Sequence, residues 1–157
     1  MQARAVAIVT SLALALAVVG CSPAGSSGGS PTAVAGGPLV VRDAWVRAAP
    51  AGGTSAAYMS MTNGRLAADS LVGVSAPDIT DSASPHQTST DASGMTGMTH
   101  TESLAIPAGG TVVLEPGGFH IMLMDLKHDL KAGDRVRLIL AFEQAGVLNV
   151  DAEVRAD

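Results

Sequence analysis

Residues 106–134 read IPAGGTVVLEPGGFHIMLMDLKHDLKAGD, and the turn residues within this stretch decide the fold class. Ala-Gly-Gly at 108–110, Pro-Gly-Gly at 116–118 and Ala-Gly-Asp at 132–134 punctuate it with turns. The pieces are apolar or alternating, which predicts strands near 110–114 and 119–126. Working outward, the same reading predicts strands near 39–47, 55–62, 70–75, 98–106, 135–142 and 147–154, with a further Ala-Gly turn at 145–146. No segment keeps a 3.6-residue period. Many short strands between regular turns argue for a single all-β sandwich or barrel. The Ser-, Thr- and Asp-rich segment 78–97 reads as the least ordered part of the domain.

Upstream of this domain the chain changes character. Residues 1–20 carry one charge, Arg4, then an apolar run that closes on Val18-Val19-Gly20-Cys21. That is the layout of a secretory signal peptide, and its ending resembles a bacterial lipobox whose Cys is lipidated. Residues 21–38 then hold the lipidated Cys21 and a tract of Ser, Gly, Pro and Ala that cannot bury enough apolar surface to offset its ordering entropy. The expected layout is therefore signal peptide 1–20, Cys21 with flexible linker 21–38, and one domain over 39–157. Two or more acyl chains hold a protein stably on a bilayer, so the domain is expected at the outer or periplasmic face of the cytoplasmic membrane.

Composition removes several function classes. The chain of 157 residues has a net charge of −5, which becomes −6 once Arg4 leaves with the signal peptide. Nine Lys and Arg spread along the chain form no basic block, so nucleic acid is not an expected partner. The single Cys precludes an intramolecular disulfide, and with Cys21 in the anchor the domain holds no thiolate. A blue-copper electron carrier, which needs a Cys beside two His, is thereby excluded. No Ser-His-Asp or His-Glu constellation stands out, and an enzyme is not expected.

What remains is His and Met. Four of the six Met left after the signal, Met95, Met98, Met122 and Met124, fall between residues 95 and 124 with His100 and His120, while His86 and His128 flank them. A thioether does no acid–base work but is a good ligand for Cu(I), and imidazole suits copper in either oxidation state. In a strand over 119–124 the side chains alternate, so Phe119, Ile121 and Leu123 take one face and His120, Met122 and Met124 the other. Met98 and His100 repeat the two-residue spacing. Met59 and Met61 alternate in an apolar strand and read as core, and His128 beside Asp129 reads as a polar turn.

The chain resembles the periplasmic copper chaperone family usually called PCu(A)C. Its signature is a His, ten residues, a Met, twenty-one residues and His-x-Met; here Met98 is followed by twenty-one residues and then His120-Ile121-Met122. The stretches 106–110, 114–124, 130–134 and 57–59 also resemble family sequence. The first half departs from the pattern, because eleven residues separate His86 from Met98 and Ser-Pro precedes His86 where the family more often has Glu-Leu. A loop absorbs one extra residue at little cost, whereas a strand would turn the side chain to the other face.

The resemblance implies a cupredoxin-like Greek-key β-sandwich binding one Cu(I) per domain through His86, Met98, His120 and Met122, with His100 or Met95 as rivals of His86. It further implies delivery of copper to acceptors such as cytochrome oxidase subunit II or its assembly factors. Cu(II) binding is also possible. The alternatives are a lipoprotein interaction module without metal, and a copper buffer or resistance protein without a dedicated oxidase acceptor. Asp125 and Glu102 are the carboxylates that could orient an imidazole, although solvation is the commoner fate of such residues.

Overall fold

A computed structural model describes residues 37–91 and 93–156. The expected signal peptide, Cys21 and all of the linker but Gly37 and Pro38 lie outside the described residues. Ten strands form and, among the described residues, no helix: β1 (Leu39–Arg47), β2 (Ser55–Asn63), β3 (Asp69–Ser75), β4 (Ser82–Thr90), β5 (Thr96–His100), β6 (Leu104–Ile106), β7 (Thr111–Leu114), β8 (Phe119–Met124), β9 (Arg135–Phe142) and β10 (Gly146–Arg155). The all-β, cupredoxin-like expectation holds.

The strands hydrogen-bond in the order β5-β4-β8-β2-β1-β10-β9-β3-β6, with β7 also on β2. β3 lies against β4 and β6 against β2, so the two halves of this sheet fold face to face. Strand β1 joins the halves. Its residues 39–42 pair antiparallel with β2; Trp45 and Val46 pair again with β2 on one side, and Trp45–Arg47 pair parallel with β10 on the other. The register slips between Arg42 and Trp45, where Asp43 takes φ 54°, a left-handed conformation that bends the strand from one half to the next.

The core is aliphatic, as the scarcity of aromatic residues requires. Val136, Leu138, Leu140 and Phe142 of β9 point inward at every second position, against Met59 and Met61 of β2 and Ile121 and Leu123 of β8. Each such side chain contributes about 1.5–3 kcal/mol by leaving water, which is the main force holding the halves together.

Three sequence expectations change. The Pro-Gly-Gly at 116–118 does not reverse the chain: β7 and β8 both run antiparallel to β2, along Met59–Thr62 and Ser55–Ala57, with residues 115–118 looping out between them. The loop closes through Glu115 N–H to the Phe119 carbonyl (2.8 Å) and Gly118 N–H to the Glu115 carbonyl (3.0 Å), with Gly117 at φ 84°. Segment 78–97, expected to be the least ordered, contains β4 and the start of β5, and the strand expected over 98–106 is split into β5 and β6. The Ser and Thr side chains of β4 bury little, so its order comes from backbone pairing with neighbours on both sides, which composition does not report.

Thr80 ties the start of β4 to the end of β8. Its buried hydroxyl donates to the Met124 carbonyl and accepts from Ser82 N–H at 2.9 Å. Thr80→Val keeps the shape and leaves both backbone groups without that partner, so it should lower stability by about 2 kcal/mol. Urea denaturation measures this, and an unchanged midpoint would remove the hydroxyl from the β4–β8 junction.

Candidate metal centre

Residues directly opposite one another on neighbouring strands share a face of the sheet. His86 of β4 stands opposite His100 of β5 and opposite His120 of β8; Thr88 faces Met98, and Ser84 faces Met122. Met98, His100, His86, His120 and Met122 therefore project from one face, across three adjacent strands. Ile121 and Leu123, the alternate residues of β8, are fully buried on the other.

The face opens on a cavity of about 250 Å³ lined by Met98, His120 and Met122, with Thr88, Tyr58 and Arg47 among its walls. His120 is only 4% exposed whereas Met98 is 60% exposed. One candidate ligand thus sits at the floor and another at the rim. His86 is half-buried just beyond, its ring 6.1 Å from that of His120 by centroid and inclined by 24°.

Both imidazoles are held by the same local device. His120 Nδ1 lies 3.2 Å from the Gly118 carbonyl and His86 Nδ1 lies 3.2 Å from the Ser84 carbonyl, each two residues back in sequence. A carbonyl only accepts, so Nδ1 carries the proton in each bond and Nε2 keeps its lone pair for a metal. Gly118 belongs to the looped-out segment between β7 and β8, and its carbonyl also accepts from Thr88 N–H at 3.0 Å. The loop thus aims His120 and joins it to β4 at once. Asp125 and Glu102 are exposed, and backbone carbonyls take the orienting role that a carboxylate could have filled.

The eleven-residue spacing is accommodated in the β4–β5 turn. Asp91 accepts from Ser93 Oγ (2.5 Å), Ser93 N–H (2.8 Å) and Met95 N–H (3.0 Å), and the Ser93 hydroxyl foremost holds its carboxyl below the usual range. Because the turn closes on these bonds, His86 and Met98 stay on the same face, one diagonal apart. Met95 is in the turn, 69% exposed, and lines a separate surface groove with Asp91. His100 instead lies beside His86, ring centroids 5.4 Å apart. His128 is exposed with Nδ1 against the Asp129 carbonyl, and Met59 and Met61 are buried in the core.

Two wall residues, Tyr58 and Arg47, escaped the sequence reading. Tyr58 is 6.5 Å from His120 by ring centroid and stacks on Trp45 at 4.5 Å, with the Arg155 guanidinium 5.9 Å from the Trp45 ring. Arg47 places a cationic side chain at the cavity wall. Tyr58 lay in plain view at position 58, between two residues of an expected core strand, and alternation alone puts it on the opposite face from Met59. Among the described residues, no group of three or more His, Cys, Asp or Glu is placed to hold a metal ion.

Residues 39–154 match the family described as LpqE-like lipoproteins. A lipoprotein of Leifsonia xyli subsp. xyli is 34% identical over 155 residues, covering 97% of this chain and 90% of that one. Among solved structures, the copper-bound PCuAC domain from PmoF2 superimposes with a TM-score of 0.64 at 27% identity, covering 77% of this chain and 95% of that chain. The CuI form of DR1885 from Deinococcus radiodurans has a TM-score of 0.60 at 38% identity, covering 77% of this chain and 80% of that chain.

The carbonyl contacts make a spectroscopic prediction. Nitrogen-15 NMR of the metal-free protein at neutral to mildly alkaline pH should show His86 and His120 as Nδ1–H tautomers. A dominant Nε2–H form at either residue would mean that its ring is not aimed as described.

Proposed function

We propose, from the premise that the chain belongs to the LpqE-like lipoproteins and is of the PCuAC type, that this copper-binding chaperone takes Cu(I) as its cargo, one ion per domain. The ligands in this reading are His86, Met98, His120 and Met122. The observation that carries it is the gathering of two thioethers and two imidazoles on one face beside a single cavity. The CuI-bound relative lends it support.

The donor chemistry suits a carrier. Neutral imidazole and thioether match a soft monovalent ion, and residues 39–157 contain no thiolate to hold it too firmly or to oxidise. Met98 at the rim is the ligand that an acceptor reaches first, so the ion can leave by exchanging one bond at a time while His120 still holds it from below. The protein in this reading acts as a carrier. In this reading the domain sits outside the cytoplasmic membrane, anchored through Cys21. Anchoring at the membrane would raise its effective concentration near membrane-bound acceptors such as cytochrome oxidase subunit II or the factors that assemble it.

Cu(I) titration against a competing chelator, with X-ray absorption to count sulfur and nitrogen ligands, tests the proposal. One ion with a mixed sulfur and nitrogen shell is expected, and an absence of binding would favour a metal-free interaction module. Met122→Ala should weaken Cu(I) by about tenfold or more while leaving the fold intact, and equal binding would remove Met122 from the set. Acidification supplies an independent check, because a ligating imidazole must shed its proton and a thioether has none to lose. Affinity should therefore fall on acidification, whereas a flat profile would assign the ion to the thioethers alone.

A further inference from the structure

His100 is not used by the inner site, yet it completes a row of three imidazoles. On β5, β4 and β8 respectively, His100, His86 and His120 are direct cross-strand partners. Their exposure runs from exposed at His100, through half-buried at His86, to buried at His120. The His86 and His100 rings are 5.4 Å apart by centroid and inclined by 72°.

That separation is the quantity that matters. Metal–nitrogen bonds of about 2 Å, with a ring radius of roughly 1.2 Å, limit two imidazoles on one ion to centroids no more than about 6.5 Å apart. The His86–His100 pair lies within this limit as it stands. Its position is also fixed: beyond the pair, Thr101 N–H donates to the Pro85 carbonyl at 2.9 Å and holds the end of β5 against β4. His86 Nδ1 is held by the Ser84 carbonyl, which leaves Nε2 for an ion.

We propose that His86 and His100 form a second, nitrogen-donor position at the outer edge of the sheet that takes Cu(II), and that it shares His86 with the inner Cu(I) position. The sharing clause rests on the ligand set proposed above; the outer pair itself does not. Cu(II) heads the affinity order of divalent first-row ions and prefers nitrogen and oxygen ligands in a tetragonal arrangement. Two imidazoles supply the nitrogen and the open edge admits water for the remaining positions. The thioethers that suit Cu(I) have little to offer Cu(II). The two oxidation states therefore select different neighbours of the same His86, Met98 with His120 and Met122 for one and His100 for the other. Because His86 serves a single ion at a time, occupation of either position weakens the other.

The test is a Cu(II) titration of the full chain followed by electron paramagnetic resonance, with Cu(I) affinities measured in parallel. The unmodified protein should bind Cu(II) with nitrogen hyperfine coupling. His100→Ala, at an exposed position, should weaken Cu(II) by about tenfold or more and leave Cu(I) unchanged, while Met122→Ala should do the reverse. His128→Ala should alter neither. Prior loading with Ag(I), a soft monovalent ion that exchanges no electron with Cu(II), should weaken Cu(II) binding. Unchanged Cu(II) affinity in His100→Ala would overturn the proposal, as would equal losses of both metals, which would place His100 in the inner site. Undiminished Cu(II) binding to the Ag(I)-loaded chain would overturn the sharing of His86. A chain that takes Cu(II) through His100 but no Cu(I) would overturn the inner-site reading and leave the outer position standing.

Discussion

Strand β4 buries little side-chain surface of its own and owes its place to backbone hydrogen bonds with β8 on one side and β5 on the other. That double pairing is the constraint on which the candidate site depends. Each ladder carries one imidazole opposite another, so a slip of one residue on either side would send His86 to the opposite face. The register is protected at both ends. Thr80 binds the start of β4 to the end of β8, the Gly118 carbonyl binds Thr88, and Asp91 closes the turn into β5. None of these contacts touches the proposed ligands except through Gly118, yet together they settle which side chains meet.

Burial then grades the site. Between His120 at 4% exposure and Met98 at 60%, the candidate ligands run from the floor to the open rim of one cavity. At the floor, Tyr58, tilted against Trp45, stands beside His120, and the Gly118 carbonyl orients the imidazole. At the rim, Met98 has little around it to restrain its rotamers, which is what ligand exchange with a partner requires. A catalytic metal site commonly needs an orienting carboxylate and a trapped water; here backbone carbonyls orient the rings, and the candidate ligands beside them are soft, neutral thioethers. That division of labour suits a protein whose task is to hold an ion and let it go.

The distribution of sequence character matches this task. Residues 39–157 have no Cys, so oxidation outside the cytoplasm cannot convert the site to a disulfide. The core is built from aliphatic residues on alternate positions of β2, β8 and β9. The same alternation that buries Ile121 and Leu123 presents His120 and Met122, so folding and ligand display are two faces of one strand.

Much of this was legible in the sequence. Alternation within β8 is a property of a single strand, so the shared face of His120 and Met122, the core positions of Met59 and Met61 and the all-β class followed from local pattern alone. The turn at 116–118 was legible as a turn but not as a loop that leaves the chain direction unchanged, because direction depends on the partner strand β2. Segment 78–97 looked poorly ordered because its order is supplied by neighbours. The eleven residues between His86 and Met98 could be counted, but whether the extra one fell in a strand or a turn could not. Tertiary structure decided that, and with it the nearness of His100 and the distance of Met95. The reason is physical: side-chain parity is local, whereas the register between strands is set by hydrogen bonds among residues far apart in the chain.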